Sequence, residues 1–566
     1  MSWIGGIFSK VSTSRSKLRK EATRMTDSAR PANKSSVAAH PWSIVSIIEN
    51  GNGGALAQLS LPIEGQFLAY HYPDCQGNLA LLHDGHFYNR QAIASNFSHN
   101  HQAAKKTNAE SLVHVLEELP GDLEQKVREL LTDLDGDYAL AVSDAERTVI
   151  SRNSLGTKPL YLAEDDRFSG FASNKKPLWK IGLDNVVPLR AGKLAILDQE
   201  GISIEDALPF DKGEIDVKDM AQAVSRYQEA LCSAVRKRLG EVSHIDKVGV
   251  LLSGGVDSCL IAKLVQDAAS ELGTKVIAYT VGLRNSPDMS FAQEFAQEIG
   301  IEHKVRTLSV DEVENYIPKV IEAVEDGDFV QVEAGIGIYA ALDMATQDGI
   351  GVILSGQGPD ELWGGYNWYP EVLNQDGRQE LCRRMWDDFS RADIETLDRE
   401  NKLAMAHGAE MLFPFLDIDV VNLAMSVASE LKVTSEDDHL GKHPHRQLAI
   451  RIGIHDKYAN RNKDAAQHGT GIHDALDEIA KKNGFNLALV TEIGYQSEKI
   501  TKAKMGSSSR YGYRYDEKKL WQVPQHVQFF LHTIAYKNGM LNKTVRDRIG
   551  RFLNKIKDSP GTHRNT

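Results

Sequence analysis

The chain changes its pattern of apolar and polar positions near residue 210. Before that point the apolar runs are short. Trp3–Phe8, Trp42–Glu49, Leu79–Leu82, Tyr138–Val142 and Thr148–Ser151 each have the length and branching of a strand, and Gly51–Gly54 reads as a turn. Glu110–Leu119 has apolar residues at helical spacing. After that point strands and helices alternate. Met220–Leu239 reads as a helix, Lys247–Leu252 as a buried strand and Val256–Leu272 as a helix. Val276–Val281 is a second strand, Phe291–Ile299 a helix and Val352–Leu354 a third strand. That alternation predicts a parallel sheet covered on both faces. Beyond about residue 370 the pattern is mostly helical.

Composition narrows the class. The 566 residues exceed one ordinary core, which predicts at least two domains. The net charge of −13 does not suit a phosphate backbone, so nucleic acid is not expected as a partner. No apolar run is long enough to span a bilayer, and no membrane partner is expected. Cys75, Cys232, Cys259 and Cys382 are scattered without a paired spacing, which fits a reducing compartment and a cytoplasmic location. Residues 10–34 are basic and Ser-rich. They read as a solvated insertion between two early strands, with a transit segment as the alternative.

The strongest chemical signal is Ser253-Gly254-Gly255-Val256-Asp257-Ser258, set between a buried strand and a helix. Glycines let backbone amides approach phosphate, and a helix N-terminus offers free N–H groups and a positive dipole end. The two hydroxyls can donate hydrogen bonds. Asp257 would repel phosphate, so it suits a magnesium ion or a loop cap. The Gly-Lys-Ser/Thr ending of a Walker loop is missing. A second glycine-rich segment, Ser355 to Tyr366, follows the third strand and carries Gln357, Asp360 and Glu361.

Together these segments resemble the SGGxDS and SGxGxDExxGGY motifs of the asparagine synthetase family. Ser286-Pro287-Asp288, His303, Met405–Glu410, Pro414–Asp417, Lys442 with Arg446, and Arg461, Lys463, Gln467, Gly469 and Gly471 follow in the order of that family. The resemblance implies ATP and Mg2+ as cofactors and a ligase that activates a carboxylate as an acyl-adenylate. It implies that Leu252 and Val281 hold adenine and that Ser253, Gly254, Gly255 and Ser258 hold pyrophosphate. Ser355 and Gly356 would line the AMP side, and Asp257 and Asp360 would ligate the metal. Gln357, Asp360, Glu361 and Lys463 would stand at the reacting groups. Two positions depart from the family: Gln357 replaces a Glu, and Leu412 replaces an Arg.

Residues 1–200 resemble the family's glutaminase domain through Asp135–Ala139, Gly156–Tyr161 and Phe171–Ser173. Ser2 stands where that family has its nucleophilic cysteine, and serine is a far weaker nucleophile unless a base activates it. Asp84-Gly85-His86 replaces Asn-Gly-Glu, and Asn108 replaces an Asp. An ionised Asp84 would repel the oxyanion, and loss of one oxyanion donor costs about 10²–10³ in rate.

The fold expected is an α+β N-terminal-nucleophile-like domain, then an α/β parallel-sheet ATP-pyrophosphatase domain with a helical C-terminal part. The expected divisions are 1–205, 215–480 and 481–566. The leading function is amidation of aspartate with ammonia in place of efficient glutamine hydrolysis. The alternatives are the same chemistry on another carboxylate, giving an amide or lactam, and a nucleotide-binding regulator without catalysis. Only small-molecule substrates are expected as partners, and a homodimer is left open.

Overall fold

The computed structural model describes residues 2–11, 13–30, 43–49, 54–60, 72–73, 78–95, 110–208, 210, 213–284, 286–462, 471–496 and 524–558. Its N-terminal part stacks two six-stranded antiparallel sheets. Strand Ser2–Ser9 lies inside the first, between Gly54–Ser60 and Phe168–Ala172. Strand Ala80–Phe87 pairs with Gly136–Ser143 in the second. The two-residue alternation of a strand explains the stacking. Ile4 and Phe8 face the other sheet and pack in one cluster with Leu82, Ala139 and Ile150. Trp3 and Ile7 face the opposite way. Helices Glu110–Glu118 and Leu123–Asp133 cover the far face of the second sheet. The layers therefore run helix, sheet, sheet, helix.

The basic stretch supplies one of these layers, which corrects the expectation of a solvated insertion. Helix Arg15–Ala29 buries Leu18, Ala22, Met25 and Ala29 against Trp3 and Ile7. Those four positions form one helical stripe, so its charged residues fall on the remaining faces. Counting charge alone hid a stripe of four apolar residues.

The second part is a five-stranded parallel sheet in the order Glu302–Leu308, Lys275–Leu283, Lys247–Leu251, Val352–Leu354, Glu410–Leu412. Helices pack on it as the alternation predicts. The first and last strands were missed. Glu302–Leu308 is an edge strand with only Leu308 buried, and Glu410–Leu412 is three residues long. Strand order reverses between Lys247–Leu251 and Val352–Leu354, which is where open α/β sheets bind ligands. Both glycine-rich segments leave the sheet at that point. Helices Ile472–Lys482 and Gln525–Lys537 bury Leu476, Ile479, Phe529 and Leu531 in the same core as the sheet. No described helix is long and apolar enough to cross a membrane.

A buried arginine joins the two parts. Arg238, on helix Met220–Glu241, reaches Asp137 of the second antiparallel sheet and Asp417 of the Pro414–Asp417 motif, both at 2.8 Å. Burial opposes its charge, and the two carboxylates more than offset that, so its proton affinity rises above the ordinary arginine value. Removing one partner of such a network strands the others in low dielectric. We expect Arg238→Ala to lose about 3–5 kcal/mol of stability, read as a lower urea midpoint. A midpoint unchanged from the parent would show that Asp137 and Asp417 are solvated without it.

Candidate active site

The two glycine-rich turns and the helices beyond the sheet enclose a cavity of about 410 Å³. Leu252, Ser253, Gly255, Asp257, Ser258, Val281, Ser355, Gly356, Gln357 and Asp360 all line it. The structure thus brings together ten of the residues singled out from the sequence. Gly254 supports the turn from behind: its φ is +76°, and a Cβ there would lie 2.8 Å from the Ala292 amide nitrogen. Glu361 is buried under the turn and accepts a hydrogen bond from the Tyr366 hydroxyl at 2.5 Å. Lys463, Gln467, Gly469 and Asn108 lie outside the described residues.

The first turn is closed on itself. The Ser253 amide donates to Ser258 Oγ at 3.1 Å, and Ser258 Oγ donates to the Gly255 carbonyl at 3.0 Å. Both serines therefore shape the loop. The open donors are the first-turn amides of helix Val256–Leu272, whose N-cap Gly255 offers no side-chain cap. Leu252 is also committed. Its amide donates to the Tyr279 carbonyl at 3.0 Å, and its carbonyl accepts from Thr280 Oγ1 at 2.5 Å. Only the second lone pair of that carbonyl is left for a ligand.

Asp257 and Asp360 converge on one cation. Lys442 Nζ lies 2.8 and 2.7 Å from the two Asp257 oxygens and 2.7 Å from Asp360 Oδ1. His445 Nε2 stands 3.1 Å from Asp257 Oδ1. Burial alone would raise the Asp257 carboxyl, but the Lys442 ammonium and His445 outweigh it and hold it below the usual range. Burial opposes the Lys442 charge as well, and the two aspartates overcome that and raise it.

The backbone is built around this ammonium. Gly365 has no side chain because a Cβ there would overlap both Lys442 and Asp360. Lys442 itself is left-handed, with φ 55° and ψ 30°, a conformation that costs a non-glycine residue about 1–3 kcal/mol. Arg446 holds the segment in place by donating to the carbonyls of Leu440, Gly441, Ala459 and Arg461. The Lys442–Arg446 pair was visible as a motif, but its distance from Asp257 in the chain gave no sign of the contact. Arg461 reaches Asp288 at 2.6 Å and lies over the Phe291 ring at 4.1 Å, on the same cavity wall.

A second cluster lies between the two parts of the molecule. The Ser2 amide donates to Asp84 Oδ1 at 3.1 Å. Burial raises the Asp84 carboxyl, with Lys158 opposing, so its surroundings resist the ionised form that would repel an oxyanion. Gly85, with φ +102°, has no room for a Cβ against the Asp137 carbonyl. His86 Nε2 meets Glu410 Oε2 at 3.1 Å, and Lys158 Nζ meets Glu410 Oε1 at 2.8 Å. Glu410 comes from the last strand of the parallel sheet. Burial would raise its carboxyl, but His86 and Lys158 hold it well below the usual range.

Two stacked antiparallel sheets joined to a parallel sheet with a glycine-rich cavity at its switch point define a two-part protein with an anion-binding type of site. Comparison with known proteins gives the family. The family model for asparagine synthase matches residues 226–532, and that for a glutamine amidotransferase domain matches residues 71–180. A Methanocaldococcus jannaschii protein provisionally named asparagine synthetase (glutamine-hydrolyzing) 1 is 30% identical over 488 residues, covering 77% of this chain and 86% of that one. Asparagine synthetase B (glutamine-hydrolyzing) of Escherichia coli K12 is 28% identical over 415 residues, 70% of this chain and 71% of its own. The chain belongs to the asparagine synthase family and is a carbon–nitrogen ligase.

Lys442→Met leaves two facing carboxylates without their cation. We expect ATP-dependent pyrophosphate release to fall by about 10²–10³-fold. A pH effect follows. The depressed Asp257 carboxyl stabilises the native protein fully above its unfolded value of 3.8, and that contribution is lost as pH falls through the depressed folded value. The variant lacks it. The stability gap between parent and variant, measured by urea unfolding at neutral pH, should therefore narrow on titration below about pH 4. A gap constant with pH would break the link between Lys442 and Asp257.

Proposed function

We propose that this ligase amidates aspartate. The side-chain carboxylate attacks the α-phosphorus of ATP, pyrophosphate leaves, and ammonia then displaces AMP from the aspartyl-adenylate. The observation that carries this reading is the Asp257–Lys442–Asp360 cluster beside an uncapped helix N-terminus at the sheet's switch point. Free first-turn amides can receive a leaving pyrophosphate. The donor set also suits Mg2+, which binds through one or two carboxylates plus phosphate oxygens, so Asp257 and Asp360 would hold it. Bound there, the ion would neutralise phosphate charge. Lys463 would offset charge that develops on the adenylate, a role for a point-charge ammonium.

Ammonia is the proposed nitrogen source. Ser2 offers a hydroxyl where a thiol would be a better nucleophile. His86 is tied to Glu410, whose other oxygen is held by Lys158, so it is not available to hold the polar groups of glutamine.

The test is pyrophosphate release from Mg-ATP, with and without aspartate, using ammonium or glutamine. Release should require aspartate and run faster with ammonium, and Ser2→Ala should leave the ammonium-driven rate unchanged. A glutamine-driven rate that vanishes in Ser2→Ala would overturn the nitrogen assignment. No release with aspartate would overturn the acceptor.

A further inference from the structure

Most acids on the cavity wall have committed charges. Asp257 and Asp360 share Lys442, Asp288 holds Arg461, and Glu333 is 2.5 Å from His473. Glu400 differs. It lines the cavity from helix Leu397–His407 and is fully buried. Its Oε2 accepts from Ser355 Oγ at 2.7 Å and the Gln357 side chain also donates toward the carboxyl, while Oε1 makes no hydrogen bond of ordinary geometry among the described residues. A buried carboxylate oxygen left unpaired is costly, and the cost is met when a ligand supplies the donor. Burial raises the Glu400 carboxyl, against Arg399, Ser355 and Gln357, which favour its charged form. Gln357, its neighbour on the glycine-rich segment, is an amide and takes up no proton.

We propose that Glu400 is the catalytic residue that receives the proton of the attacking nitrogen. This rests on the adenylating reading above. Ammonium gives one proton to Glu400 Oε1. The freed lone pair forms the C–N bond at the acyl carbon, the bond from that carbon to the AMP oxygen breaks, and AMP leaves with the electron pair. The second proton shed by nitrogen passes to water. A carboxyl raised by burial is a better base than an exposed one, because its proton affinity lies nearer the working pH. Ser355 fixes its orientation on the AMP side of the cavity.

The full-length protein is assayed in two ways: aspartate-dependent exchange of labelled pyrophosphate into ATP, and amide formation. The second assay uses ammonium or hydroxylamine, an amine largely unprotonated at neutral pH. Glu400→Gln should lower ammonium-dependent amide formation by about 10²–10⁴-fold and lower exchange far less. The deficit should shrink with hydroxylamine, and Glu400→Asp should recover part of the rate. Equal loss of exchange and amide formation overturns the role, since Glu400 would then bind acceptor or support the fold. An unimpaired Glu400→Gln amide rate also overturns it. Absence of exchange in the parent protein overturns the adenylation reading and this role together, a result distinct from failure of the variant alone.

Discussion

One ammonium between two carboxylates organises the cavity. Lys442 is almost wholly buried, and a charge there persists only if paired and hydrogen-bonded. Asp257 and Asp360 supply the pairing from the two glycine-rich turns. The requirement propagates outward. The turns must approach closely, so residue 365 has no side chain. The lysine must enter from a strained left-handed position, so Arg446 ties its segment to four carbonyls. Two carboxylates and one ammonium leave a single negative charge beside the positive end of helix Val256–Leu272. A nucleotide's phosphates could not share that space without further positive charge, which is the electrostatic reason for proposing a metal ion and Lys463 there.

Much of this was legible in the chain. Buried apolar runs of strand length located three of the five parallel strands, and the glycine-rich segments were placed at the ends of two of them. What escaped had physical reasons. Strand Glu302–Leu308 buries only Leu308 at a sheet edge, so it has no apolar run. Helix Arg15–Ala29 packs with only four apolar residues among many charged ones, so its charges dominated the reading. Lys442 and Glu400 reach the cavity by tertiary contacts across 185 and 45 positions, which no local spacing reveals.

The motifs around residue 410 divide in a way that the chain alone did not disclose. Leu412 is buried in the short last strand of the parallel sheet, paired with Leu354, and does not line the cavity. Glu410 and Asp417 also face away from the cavity. Glu410 holds His86 and Lys158, and Asp417 holds Arg238 and, at 3.3 Å, Lys237. Glu410 couples the parallel sheet to the antiparallel ones directly, and Asp417 does so through Arg238, which also meets Asp137. Glu325 does the same at another point, accepting from the amides of Lys175 and Lys176 at 2.6 Å each while meeting the Lys402 ammonium at 3.2 Å.

That coupling gives the N-terminal part a structural role beside any chemistry of its own. Asp137, His86 and Lys158 from the antiparallel sheets neutralise or hydrogen-bond groups of the synthetase sheet that are themselves buried. Loss of the antiparallel layers would expose apolar surface, leave Glu410 without His86 and Lys158, and leave Arg238 with Asp417 alone of its two carboxylates. Glu410 opens the strand that pairs with Val352–Leu354, and that strand leads into Ser355, Gln357 and Asp360. Charges at the domain contact and charges at the cavity are thus separated by one strand pair. A substitution near Ser2, Asp84 and His86 acts first on the packing of that strand, and through it on the position of the Asp360 turn.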